Sequence, residues 1–237
     1  MANHHSRVLI KLSGEALGGE QGFGLDIPAT SKIIDEILVL RKLGVEIALV
    51  IGGGNFFRGA ALAEHGFERV TADQIGMLCT VSNGLFLQSL FKERNIPVSL
   101  FSTVGMPGVV DCYQRDHALH DLEAGHIVIF TAGIGLPLFS TDSAASLRAI
   151  EINADILLKA STVDGVYSAD PKKNSKAERY TQLSYAEVIQ KQLRVMDLTA
   201  ICLCQEHNMP IRVFDLKKPS VFKNIISGKS EGTLITG

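Results

Sequence analysis

A chain of 237 residues, 46% hydrophobic and 20% charged, is long enough to bury a substantial core as one large α/β domain or two small ones. Its formal net charge of −2 argues against a generally nucleic-acid-binding surface while leaving room for a local cluster of cations at a phosphate site, and no run approaches the ~20 apolar residues of a membrane-spanning helix. The head MANHHSRVLIKL lacks the long apolar core of a secretion signal, so the expectation is a cytoplasmic protein with neither nucleic-acid nor membrane partners. Cys79, Cys112, Cys202 and Cys204 make no CxxC pair and read as buried, reduced thiols, and no histidines have HExxH spacing, so no metal-ligating set is predicted.

Arg7 to Ile10 predicts a first strand, followed by Lys11-Leu12-Ser13-Gly14, where a lysine and closely approached backbone N–H groups can meet a phosphate or simply face solvent. Gly18 to Gly24 reads as a flexible polar loop. Pro28 opens a helix with Ile33, Ile34, Ile37, Leu38 and Arg41 at helical spacing, and Gly44 stops it. Val45 to Ile51 is a near-continuous apolar strand of the kind covered on both faces, and it runs into Gly52-Gly53-Gly54-Asn55 with Arg58 just beyond. Successive glycines mark either a tight turn or a ligand loop. Neither GxxxxGK[ST] nor GxGxxG occurs, which argues against P-loop kinases and NAD enzymes while keeping phosphate binding open.

Thr71 to Arg94 predicts a long helix whose apolar residues, Ile75, Met77, Leu78, Val81, Leu85, Phe86, Leu90 and Phe91, lie around more than one face. One side packs on the sheet; the other meets a second subunit or more of its own core. Asp73, near the helix start, is favoured there by the dipole. Val98 to Phe101 is a short strand, and Arg115 to Ala124 a helix ended by Gly125.

Ile127 to Phe130 is a buried strand that opens at Gly133 and Gly135 into a loop, and Ser140-Thr141-Asp142-Ser143 is a hydroxyl-rich helix entry. A helix start after a strand and loop presents N–H groups to an anion, although capping alone also explains these residue types. Asp155 to Lys159 is a strand, and its exit runs from Ala160 to Pro171 with turn signals at Asp164-Gly165 and Asp170-Pro171. There Tyr167 can lay its ring against a base, or be a loop tyrosine partly buried for packing, and Asp170 can accept from ribose hydroxyls. Ser184 to Leu193, Met196 to His207 and Pro219 to Ser227 are predicted helices, and Ile211 to Asp215 and Gly232 to Thr236 strands. The predicted whole is α/β, a three-layer sandwich with a mainly parallel central sheet flanked by helices, a single domain over 1–237 with lobes of roughly 1–150 and 151–237.

Phosphoryl transfer suits glycine-bearing strand ends that share one sheet edge, because the protein must mainly align two reactants and neutralise charge. Lys11 and Arg58 would be the neutralising cations, backbone N–H groups the oxyanion donors, and Asp142 a fixed anion holding a lysine in place. Magnesium would ride mainly on nucleotide phosphates, since no carboxylate cage is visible.

RVLIKLSGEAL (Arg7 to Leu17), VIGGGNFFRGA (Val50 to Ala60), FSTDSAA (Phe139 to Ala145), DGVYSADP (Asp164 to Pro171), RVMDLTA (Arg194 to Ala200) and IRVFD (Ile211 to Asp215) together resemble the bacterial uridylate (UMP) kinase family, of the amino-acid kinase fold, in the same order over nearly the whole chain. The resemblance implies transfer of the ATP γ-phosphoryl group to UMP in pyrimidine nucleotide biosynthesis, with magnesium, in a homohexamer built as a trimer of dimers. It places ATP on Lys11, Leu12, Ser13, Gly14, Gly54, Arg58, Ser161, Tyr167 and Asp170, in a lobe of roughly 151–237 for the later residues. It places UMP on Gly53, Asp73, Ile134, Gly135, Leu136, Pro137, Leu138, Phe139, Ser140 and Thr141, in the lobe of roughly 1–150. Gly19, Glu20, Gln21, Gly22, Phe23 and Gly24 correspond to a GTP effector loop, and UTP feedback is typical of the family. Ile134 and Leu136 stand where the family often has polar residues, and Thr162 where it often has lysine. Two other readings stay open: a kinase of this fold acting on a small acidic acceptor such as N-acetylglutamate or carbamate, and a non-catalytic nucleotide or oxyanion binder.

Overall fold

In the computed structural model, which describes residues 5–57, 66–171, 173–174 and 176–237, β1 (Arg7–Leu12) is longer than the apolar run alone predicts. A short 3-10 run (Gly14–Gln21) follows, so the segment from Gly18 is partly helical rather than a plain loop; Gly19 breaks it at φ 61°. Helix α1 (Ile27–Lys42) starts with Asp26 accepting from the Ala29 N–H at 2.8 Å and Pro28 in its first turn, and it buries Thr30, Ile34, Ile37 and Leu40. Next come β2 (Glu46–Ile51), α2 (Arg69–Glu93), β3 (Val98–Ser102), β4 (Asp111–Cys112), α3 (Arg115–Glu123) and β5 (Ile127–Thr131). The second half holds α4 (Thr141–Glu151), β6 (Ile156–Ser161), β7 (Val166–Tyr167), β8 (Arg179–Tyr180), β9 (Gln182–Ser184), α5 (Tyr185–Gln190), α6 (Leu198–Glu206), β10 (Ile211–Asp215), α7 (Val221–Ile226) and β11 (Thr233–Thr236).

Among the described residues nine strands form one sheet in the order β4-β3-β5-β2-β1-β6-β10-β11-β9, in which only the β10–β11 pair is antiparallel. The two outermost strands are short, with two residues in β4 and three in β9. Alternation sorts the core into two layers. Val8, Ile10 and Leu12 face α1, α2 and α7, while Leu9, Leu157 and Val128 face α3, α4, α5 and α6. The result is a three-layer α/β sandwich. Cys79 and Cys204 are buried as the sequence predicts, whereas Cys112 and Cys202 are exposed.

One consequence of this winding positions the site. The β1-to-β2 connection carries α1 on one face, and the β6-to-β10 connection carries α5 and α6 on the other. Beyond the carboxyl ends of the adjacent strands β1 and β6 the crossovers therefore part to opposite faces, and in an open α/β sheet that crevice is where ligands bind.

Candidate active site

Lys11 shares the parity of Leu9 and points to the α4 layer, and in the β1–β6 register it stands beside Lys159. Two ammonium groups on neighbouring strands, each side chain only 12–13% exposed, repel unless an anion lies between them. Asp142, in the first turn of α4, is that anion: Lys11 Nζ meets Oδ1 at 2.8 Å and Lys159 Nζ meets Oδ2 at 2.6 Å. The Lys11 contact is an ion pair without hydrogen-bond alignment, while Lys159 donates to Asp142 and also to the Val195 carbonyl. Burial pushes the Asp142 carboxyl up, but Lys11 and Lys159 together outweigh it and hold the group below the usual carboxylate range. Burial lowers the Lys159 ammonium; Asp142 opposes this, Lys11 adds to it, and the net direction is down. Two cations thus share Asp142, and the Asp197 carboxylate also acts on Lys159.

The start of α4 is fixed from two directions. Ser140 caps it, accepting from the N–H groups of Asp142 at 2.9 Å and Ser143 at 3.3 Å, a contact of about 1 kcal/mol. Asp197 in turn accepts from the hydroxyls of Ser140 and Ser143, the latter at 2.9 Å, and caps α6 through the Ala200 N–H at 2.9 Å. Sequence reasoning missed Lys159 and Asp197 as site residues. For Lys159 the signal was a lysine inside the apolar run DILLKA, which burial obliges to find an anion.

The glycine loops meet at van der Waals limits. A Cβ on Gly14 would lie 2.5 Å from Asn55 Oδ1, 2.6 Å from the Gly52 carbonyl and 2.8 Å from the Gly54 nitrogen. One on Gly53 would lie 2.7 Å from the Gly76 carbonyl of α2, so glycine at 14 and 53 is a packing requirement. Thr141 Oγ1 is 3.5 Å from the corresponding point on Gly52, which brings the helix start against the same loop. Leu12 is wholly buried in the opposite layer and offers this edge only its backbone, and Ser13 precedes the 3-10 run without a side-chain cap. Arg58 lies outside the described residues.

On the β5 side the loop at 132–139 turns through positive φ at Ala132 (60°), Gly133 (59°), Gly135 (84°) and Leu138 (71°). For the non-glycine residues such backbone costs roughly 1–2 kcal/mol each and must be held from outside. Thr80 Oγ1 accepts from the Ala132 N–H at 2.7 Å, Thr103 donates to the Ala132 carbonyl at 2.8 Å, and Asp73 accepts from the Leu138 N–H at 2.8 Å while Arg69 holds Asp73 at 2.9 Å. Ile134 packs on the core, but Leu136, Leu138 and Phe139 are exposed, so this loop offers main-chain groups and an apolar rim.

On the β6 side Ser161 ends the strand and its hydroxyl accepts from the Val163 N–H at 3.3 Å. The exit then folds into a small hairpin, with Val166 opposite Tyr180 and Tyr167 opposite Arg179. The Tyr167 hydroxyl donates to Asp164 Oδ1 at 2.6 Å, and Arg179 donates to Asp164 Oδ2 at 3.1 Å, fixing the ring's direction. The Asp170 carbonyl accepts from the N–H groups of Lys173 at 3.0 Å and Asn174 at 2.9 Å. The Gly19 to Gly24 segment has Gly19, Gly22 and Gly24 at positive φ and Phe23 exposed.

Lys11, the glycine loops and Thr141 thus converge on one crevice, with the 132–139 loop on one side and the Tyr167 hairpin beyond β6 on the other. A family model described as the amino acid kinase family matches residues 6–215. A uridylate kinase of Stutzerimonas stutzeri is 53% identical over 231 residues, covering 98% of this chain and 94% of that protein. A uridylate kinase of Saccharophagus degradans is 54% identical over 233 residues, with 98% and 94% covered. The crystal structure of UMP kinase from Bacillus anthracis superposes with a TM-score of 0.95 at 41% identity, covering 98% of this chain and 96% of that one.

Proposed function

We infer the reaction from kinship and site together: the chain belongs to the amino acid kinase family, and within it to the uridylate kinases, and it transfers the γ-phosphoryl group of ATP to UMP, giving UDP and ADP. The observation that carries the chemistry is the buried Lys11–Asp142–Lys159 cluster at the crevice between β1 and β6. An oxygen of the UMP phosphate bonds to the γ-phosphorus as the bond to the β,γ-bridging oxygen breaks, and the electron pair leaves with ADP. No general base is needed, because the attacking phosphate is already ionised. The protein's task is to hold two polyanions together and neutralise the moving group.

In this reading Lys11 and Lys159 supply the positive field and Asp142 aligns them; with its carboxyl held below the usual range between two cations, Asp142 is no proton acceptor. Arg58 adds a further cation. Gly53, Asp73 and the run from Ile134 to Thr141 take UMP, the uracil being read by main-chain groups of the strained loop. The Lys11 to Gly14 turn and Gly54 take ATP together with Ser161, Tyr167 and Asp170, the last three in the lobe after about residue 150. Magnesium would be carried by the nucleotide phosphates and would screen their charge; the support is that both Asp142 oxygens are already committed to lysines.

The chain acts in the cytoplasm as a homohexamer, a trimer of dimers, and Leu78, 54% exposed on α2, supports a helix-to-helix contact that light scattering would detect. GTP at the Gly19 to Gly24 loop and UTP are its effectors. The test is ADP release with purified protein: it should depend on UMP and not on N-acetylglutamate. ATP binding without acceptor-dependent turnover would favour the binder, and equal rates with CMP and UMP would remove the uridylate assignment.

A further inference from the structure

Helix α2 faces the sheet with an amide where such a helix ordinarily carries an apolar residue. Asn83 is wholly buried, and so is its partner Asn55 at the end of the glycine loop. The two side chains lie head to tail: Asn83 Nδ2 donates to Asn55 Oδ1 at 2.7 Å, and Asn55 Nδ2 donates to Asn83 Oδ1 at 2.9 Å. The remaining amide protons reach main-chain carbonyls, Asn83 to Gly52 at 2.7 Å and Asn55 to Gly24 at 2.7 Å. The Asn55 carbonyl accepts from the Gly24 N–H at 2.8 Å, so Gly24 is held by both of its backbone groups. Flipping either amide would set oxygen against the Gly52 or Gly24 carbonyl, so only this orientation satisfies every donor.

A run of three glycines has no side chains with which to define its own course, and its backbone must be fixed from outside. A fully satisfied amide pair does that at a desolvation cost that an apolar pair of equal volume would avoid, and what it gains is a specified geometry. Asn55 Oδ1 also borders Gly14, so the same amide sets the spacing between the two phosphate-facing turns. We propose that Asn83 and Asn55 are positioning residues for phosphoryl transfer: by fixing the Gly52 carbonyl, the pair sets where the Gly53 and Gly54 N–H groups stand relative to the Lys11 to Gly14 turn. This rests on the uridylate kinase reading above, in which Gly53 takes UMP and Gly54 takes ATP. Misplacing them by about 1 Å is enough to cost roughly 100-fold in rate while both nucleotides still bind.

Asn83→Asp keeps the shape of the side chain and turns both donors into acceptors facing the Gly52 carbonyl and Asn55 Oδ1. Assayed at a temperature where near-UV circular dichroism shows it folded, it should lose about 10- to 100-fold in kcat, with KM for ATP and for UMP each within about three-fold of the parent. Hydrogen exchange read by mass spectrometry on peptides spanning residues 22–26 and 50–56 should accelerate at least about ten-fold. A purely structural role would lower the melting temperature and leave the folded enzyme's kcat within about two-fold, and that result overturns the proposal, as does unchanged exchange. If Asn83→Asp does not fold, Asn55→Ser carries the same readouts with the same criteria. A parent that releases no ADP with UMP would sink the uridylate assignment instead, and the exchange measurement would still judge the pair.

Discussion

At the centre of the crevice Lys11, Lys159 and Asp142 have side chains only 12–13% exposed, and each is held by an opposite charge. At the rim Leu136, Leu138 and Phe139 are 45–64% exposed, and the polar groups there are held by carboxylates, Asp73 on the Leu138 N–H and Asp164 on the Tyr167 hydroxyl, each paired with an arginine whose side chain is 31–58% exposed. Charges buried and aligned before the substrate arrives need no reorganisation during the reaction, so the centre should govern turnover. Groups that gain their contacts only when a nucleotide settles should govern affinity. The two regions therefore make separable kinetic statements, and each can be broken.

The largest effect is expected at Asp142. Asp142→Asn leaves two buried ammonium groups without their anion and should cost on the order of 3–5 kcal/mol in urea unfolding at pH 7. The folded carboxyl is held below its unfolded value, so this stability is complete above about pH 4 and is withdrawn as pH falls through the lower folded value. Parent and variant should therefore converge as the unfolding is repeated at progressively lower pH below about 4, and a gap that stays constant would dissolve the charge account. Lys11→Ala follows, with a loss of about 100- to 1000-fold in kcat and a UMP KM within about three-fold. A raised KM with kcat intact would reverse the roles of centre and rim. Asp73→Ala should do the opposite, raising the UMP KM roughly 10- to 100-fold through loss of a charged acceptor while kcat moves little. The smallest effect is Tyr167→Ala, an approximately five-fold rise in the ATP KM measured at saturating UMP, the share expected of one stacking ring.

Much of the frame is legible in the amino-acid sequence. Buried parallel strands are near-continuous apolar runs, so VEIALVI and IVIF announced β2 and β5, and Ser140 announced a helix start because capping is a matter of neighbouring residues. The short strands were not legible: β4 and β7 have two residues each, too few for any period, and β7 exists because Val166 finds Tyr180. Lys159 read as the end of a strand, and only its register beside Lys11 turns it into half of a cation pair. Asp197, Asn55 and Asn83 carry ordinary polar side chains whose meaning depends on partners distant in the chain, and no local pattern could name those partners. Thr80 and Thr103 belong with them, since each supports a backbone bend on a different element.

The brevity of the two flanking strands has a bearing on how copies of the chain can meet. With two residues at β4 and three at β9, neither flank offers a ledge long enough for a foreign strand to add to it. The homohexamer proposed above would thereby be steered away from ribbon growth and toward the helical outer layers, where Leu78 stands half uncovered.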